Sequence, residues 1–163
     1  MTNAKTLTSL FLSLALFAQP EIARAHDEVP FIGSFSGEAT EEPTNDPNIF
    51  LASINGAGSA TPIGQCHIAA THLIDVRTLA FTNGAIAFTG KQGTIFGSYY
   101  GQFYPAPTPG LFAFLANLTI TGGTGKYQGA TGRGILSGIV NSNTFPEQFS
   151  AAVDALIVLK KRD

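Results

Sequence analysis

Three observations in the sequence predict an all-β protein, a small closed antiparallel up-and-down barrel of about eight strands. Strand-like runs recur about every ten residues, with turn residues between them. Within these runs glycines alternate with large aromatics on one face, as in Phe31, Gly33, Phe35, Gly37 and again in Gly97, Tyr99, Gly101, Phe103. Glycine lets a strand bend sharply and an aromatic neighbour covers the gap, a pattern suited to a small barrel. No segment after the N-terminal leader carries a clear helical apolar period.

Taken in order, residues 31–40 alternate, with Phe31, Phe35 and the glycines on one face and Ser34, Ser36 and Glu38 on the other, as a strand with one polar face requires. Residues 41–48 hold two prolines, three acids and two asparagines and read as a loop. Residues 50–60 are a second strand, expected to break at Asn55-Gly56, and residues 65–75 a third. Runs 77–82 and 85–90 flank Asn83-Gly84, a dipeptide that predicts a two-residue hairpin turn because both positions favour positive φ. A long strand follows over 94–104, then a proline-rich turn at 105–110 and strands over 111–120 and 134–140. Residues 144–159 alternate at Phe149, Ala151, Val153, Ala155 and Ile157 and read as the last strand.

The first 25 residues stand apart. Lys5 precedes an apolar run too short to span a bilayer comfortably, and Ala23-Arg24-Ala25 supplies a signal-peptidase pattern. The expected organisation is a signal peptide at 1–25 and one barrel domain at 26–163, exported to the periplasm or the medium, with no membrane insertion of the mature chain. The 163 residues carry a formal charge of −2, and loss of Lys5, Glu21 and Arg24 makes the mature chain slightly more acidic. Mild acidity with scattered basic residues argues against a nucleic-acid partner. The single cysteine, Cys66, permits no internal disulfide, so the fold relies on its core, for which 13 Phe and 4 Tyr supply the bulk.

Residues 121–134 form the densest glycine stretch. A P-loop needs Gly-Lys followed by Ser or Thr, but Tyr127 follows Gly125-Lys126; a dinucleotide turn needs a glycine where Gln128 stands. No amphipathic helix follows to receive a phosphate. The stretch reads instead as a barrel-closing turn, with Gly122 and Gly123 ending one strand, Tyr127 folded in as a plug, and Gly132 helping to restart the chain. Gly122, Gly123, Gly125 and Tyr127, followed by Gly129 and Gly132, resemble the signature of the allene oxide cyclase and dirigent-protein superfamily of calycin-like barrels. The Gly129-Ala130-Thr131-Gly132 ending most resembles uncharacterised secreted bacterial members. The resemblance implies an eight-stranded antiparallel barrel in which this motif is structural. Family enzymes cyclise or couple lipophilic intermediates inside the barrel, but none of their acidic or cysteine site residues maps onto this chain.

Few side chains suggest chemistry. Cys66 and His72 share a strand face but lie roughly 20 Å apart, and His67 points the other way, so no metal site is expected. No cofactor signature is present. Glu38 is a weak candidate acid or base if its face lines the barrel, but the aromatics suit the core face better and leave Glu38 outside. Function then divides three ways. A binding barrel would take a small lipophilic ligand against Phe35, Phe96, Tyr99, Tyr100, Phe112 and Phe114. A cyclase or dirigent-like enzyme would confine a reactive lipophile. A filled barrel would be structural and would associate with itself through an exposed face.

Overall fold

The structure, a computed structural model, describes residues 27–160, so the predicted signal peptide at 1–25 lies outside the described residues. Eight antiparallel strands close a barrel in sequence order: β1 (Asp27–Pro43), β2 (Ile49–Ala60), β3 (Gly64–Asp75), β4 (Ala80–Gly90), β5 (Gly93–Pro105), β6 (Leu111–Gly123), β7 (Thr131–Asn141) and β8 (Glu147–Leu159). β8 pairs with β1 from Asp27↔Leu159 to Ala39↔Glu147, which removes the free edges an open sheet would expose. The predicted fold class is the observed one.

Alternation decides which side chains face inward. Phe31, Phe35 and Ala39 of β1, Ile95 and Tyr99 of β5, Leu118 and Ile120 of β6, and Phe149, Val153 and Ile157 of β8 are all buried, while their neighbours along each strand face solvent. Because each connection joins adjacent strands, the turns fall into two sets, one at each end of the barrel. One end is packed solid: Phe31 meets Phe88 edge to face at 4.9 Å, and Tyr127 lies fully buried beneath the 3-10 turn Gly125–Tyr127. The other end opens between the tails of β1, β3, β5 and β7 and the starts of the strands between them.

Three expectations about strand boundaries need correction. β1 runs on to Pro43, so Glu41 is a strand residue; the acids and the proline there are tolerated because Glu41↔Ala52 and Pro43↔Phe50 continue the ladder with β2. β2 passes Asn55-Gly56 without a break, Gly56 pairing with both Gly37 and Ile68, because the glycine makes room for the Phe149 ring. Asn83-Gly84 is not a hairpin turn. It lies inside the single strand β4, where Asn83 alone takes positive φ (54°) and the register with β3 and β5 shifts, forming a β-bulge. The real β3–β4 turn spans 76–79. It is closed by the Leu79 N–H donating to the Asp75 carbonyl at 2.7 Å and by the Asp75 carboxylate accepting from the Arg77 N–H at 2.9 Å.

Candidate functional site

The bulge in β4 organises the open half of the barrel. On its β3 side, Thr71 pairs with Ala85 and Leu73 with Thr82, so His72 alone stands opposite Asn83-Gly84. On its β5 side, Gly84 pairs with Tyr99. A Cβ on Gly84 would lie 2.7 Å from the Tyr99 ring, so the bare glycine lets that ring settle over the bulge. The outcome is a buried pair, His72 Nδ1 to Tyr99 Oη at 2.7 Å, reaching from β3 to β5 across the inner face of β4.

Tyr99 Oη also lies 3.4 Å from the Thr71 carbonyl, an atom that can only accept. Both contacts are satisfied together in one arrangement: Tyr99 donates to Thr71, and His72 Nδ1–H donates to Tyr99. That arrangement assigns the lone pair to His72 Nε2. The ring is 5 % exposed, and its Nε2 has no hydrogen-bond partner. Burial lowers the His72 pKa to about 4, so the imidazole is neutral at pH 7, and burial raises the Tyr99 hydroxyl above its ordinary range.

Around the pair lies a chamber of about 80 Å³ with an almost wholly apolar wall, including Ile68, Ile86, Phe114 and Phe149. Phe81 packs on His72 at 4.9 Å and on Phe103 at 4.8 Å, placing three rings round one side. Two rings of the wall, Phe81 and Phe114, rest on glycines of neighbouring strands: a Cβ on Gly101 would meet Phe81 at 2.5 Å, and one on Gly138 would meet Phe114 at 2.7 Å. Toward solvent the chamber continues into a vestibule of about 170 Å³, and the two share Glu41, Ile74, Phe103, Val140 and Glu147. Glu41 and Glu147 therefore flank the passage from adjacent strands β1 and β8. Burial raises both carboxyl pKa values, and the neighbouring charge of Glu41 raises Glu147 further.

The residues predicted as ligand-lining separate into three groups. Tyr99 and Phe114 line the chamber, and Phe112 lines the vestibule. Phe35 points inward but belongs to the packed half, where it meets Phe88 at 5.3 Å. Phe96 and Tyr100 are 40 % and 60 % exposed and face outward, which corrects their assignment; each neighbours the inward Tyr99 or Ile95, and the pleat turns successive side chains to opposite faces. Glu38 is likewise on the outer wall, accepting from Gln148 Nε2 at 3.3 Å, so it is no candidate acid or base for the chamber. Cys66 is a buried free thiol in the packed half, and burial raises its pKa. Among the described residues no three His, Cys, Asp or Glu side chains are placed to hold a metal, and no helix is long and apolar enough to cross a membrane.

In the glycine stretch, Gly123 lets the chain double back, since a Cβ there would lie 2.6 Å from the Thr94 carbonyl and 2.8 Å from the Tyr127 Cβ. Gly125 takes φ +57°, the left-handed region that glycine enters without cost. The turn is tied down by Thr124 N–H to Thr94 O at 2.8 Å and Lys126 N–H to Gln92 O at 2.9 Å, and Tyr127 Oη donates to the Pro62 carbonyl at 3.2 Å. Gly122 ends β6 beside it, Gly129 turns the chain at φ +71°, and Gly132 pairs in β7. No phosphate-binding helix begins here.

Sequence reasoning missed His72, Glu41 and Glu147 as a group. The available signal was inward parity: His72 lies six residues from Cys66 on one face, and Glu41 lies two residues beyond the inward Ala39. Nothing in the sequence marked the bulge that joins His72 to Tyr99.

No protein-family model matches the chain, and no curated protein matches it. Among solved structures, the pterocarpan synthase dirigent protein GePTS1 is similar, with a TM-score of 0.54 and 11% sequence identity over 96% of this chain and 100% of that one. At that identity the likeness is one of fold. The chain is an all-β, closed, eight-stranded antiparallel barrel resembling the dirigent protein fold.

Proposed function

We propose that this is an exported binding barrel that takes a small, largely apolar molecule into the open end, with one hydrogen-bond donor of the guest reaching His72. The observation that carries the reading is His72 Nε2, a buried nitrogen without a partner in an apolar chamber, which holds the lone pair in the arrangement that satisfies both Tyr99 contacts. An unsatisfied buried polar atom costs about 1–3 kcal/mol, and a guest that donates to it recovers that cost. The aromatic walls supply the apolar contact. Export rests on the leader at 1–25, and the lipophilic guest on the composition of the wall.

The test is nuclear magnetic resonance of the His72 ring during titration with 4-ethylphenol, an apolar body with one donor, against ethylbenzene, which lacks it. The expected result is saturable shifts of the His72 ring signals with the phenol and weaker binding of ethylbenzene. His72→Leu should bind both alike. Failure of any lipophile to bind, together with no lipophile co-purifying in native mass spectrometry, would overturn the reading.

A second reading draws on the same atom. A neutral imidazole with a free lone pair can accept a proton from a confined reactive molecule, which is the chemistry a cyclase-like or dirigent-like enzyme would need. Product analysis of incubated lipophiles, with His72→Leu as the control, separates it from carriage.

A further inference from the structure

We propose that the guest is a cation: an apolar body carrying a protonated amine, held at the passage between Glu41 and Glu147. The inference rests on the binding reading above and names the chemical class of its ligand.

Three features of the open end converge on it. First, Glu41 and Glu147 border both the chamber and the vestibule, and no Lys or Arg borders either space. The basic residue at that end among the described residues is Arg77, and its guanidinium is engaged by Asp75 through contacts of 2.8 and 3.0 Å. Second, the charge of the described chain is sorted by end. Glu41, Glu42, Asp46, Asp75 and Glu147 stand around the mouth, whereas Lys91, Lys126 and Lys160, with Glu28, stand round the plugged end. Arg77 offsets only Asp75, and a mouth with an excess of one sign of charge above apolar walls concentrates the opposite charge. Third, Phe103 and Phe81 present ring surface beside His72, with Phe103 shared by chamber and vestibule, and aromatic faces attract ammonium groups.

The buried His72 Nε2 is independent of the carboxylates and also calls for a donor. A guest with a donor at its leading end and an ammonium at its trailing end satisfies both ends of the funnel. An anion would meet the two carboxylates and a lone pair. A neutral guest would leave the two carboxylates unpaired beside an apolar passage, a state that favours their protonated forms.

The experiment compares three probes with one phenolic body: 4-ethylphenol, tyramine, which adds an ammonium, and 4-hydroxyphenylacetate, which adds a carboxylate. Affinities are measured by calorimetry on the purified protein. Tyramine is expected to bind at least about tenfold tighter than 4-ethylphenol, and the carboxylate weaker than both. In the double variant Glu41→Gln, Glu147→Gln, with folding checked by thermal melting, the three should converge, while Glu38→Gln on the outer wall keeps the preference. Tyramine affinity should rise with pH as the two carboxyls, held above their ordinary range by burial, ionise, while His72, with a pKa of about 4, stays neutral at pH 7. The double variant should lose that rise. Equal affinity of tyramine and 4-ethylphenol overturns the cation inference and leaves the binding reading standing. Binding of none of the three overturns both.

Discussion

The two ends of the barrel are built from the same materials, glycines and aromatic rings, and use them for opposite purposes. At the plugged end, Gly123 and Gly125 allow the chain to fold over Tyr127, whose ring is 0% exposed and whose hydroxyl is satisfied by Pro62. At the mouth, Gly84, Gly101 and Gly138 seat Tyr99, Phe81 and Phe114 against the wall, and the space between the rings stays open. The plugged end pairs the buried Tyr127 hydroxyl with Pro62; the mouth buries His72 Nε2 without a partner. Stability should therefore reside at the plug and recognition at the mouth, and substitutions at the two ends should have separable effects.

The largest effect is expected at the plug. Tyr127→Ala should lower the free energy of unfolding by about 3–5 kcal/mol, and Tyr127→Phe, which loses only the bond to Pro62, by about 1 kcal/mol. Urea denaturation measures both. A Tyr127→Ala protein as stable as the parent would show that the ring is not what closes this end.

Next is the response to acid. His72 has a folded pKa of about 4 against an ordinary 6.5, so between those values the unfolded chain binds more protons than the folded one. Stability should fall as pH drops from 6.5 toward 4, by up to about 3 kcal/mol, and His72→Leu should flatten that part of the profile. Glu41 and Glu147 act in the other direction, since their raised folded pKa values make the folded state bind protons more readily, and stability is lost as rising pH ionises them. Replacing both by Gln should steepen the acid limb. At neutral pH, His72→Leu should change stability little, because the lost hydrogen bond and the removed unpaired nitrogen offset each other, while binding of 4-ethylphenol loses its advantage over ethylbenzene.

Gly84→Ala should come third. The added methyl would press on the Tyr99 ring and backbone, costing about 1–3 kcal/mol and disturbing the His72–Tyr99 contact, which the His72 ring resonances would report. Glu38→Gln should be smallest, within about 0.5 kcal/mol and without effect on binding, since it alters one exposed acceptor. A strong effect on binding would relocate the site to the outer wall.

Much of the fold was legible in the sequence because alternation and glycine-aromatic spacing are local. β5 could be read residue by residue: Ile95, Tyr99 and Phe103 face inward as their parity implies. The site was less legible because it depends on register between strands. Asn83-Gly84 carries the chemistry of a turn, and the positive φ of Asn83 answers to it, but the ladder on both sides of β4 absorbs the pair as a bulge. The turn itself formed at 76–79, where side-chain capping by Asp75 replaces glycine or proline. Phe96 and Tyr100 were misplaced because aromatic content gives no parity by itself. Glu41 was missed because prolines and acids near the end of a strand read as loop when the partner strand is not in view.

The pairing of Asp27 with Leu159 has a practical consequence. Both ends of the described chain lie side by side at the plugged end, one strand spacing of about 4.8 Å apart, with the full height of the barrel between them and the mouth. A surface tether or fusion partner joined at Asp27 or Lys160 would leave from the face opposite the opening. The protein can thus be immobilised by either end with its entrance turned toward solution. A short bridge across that pair, with a new opening cut in the 105–110 turn, would give a permuted chain whose ladder is intact and whose fresh termini border the entrance.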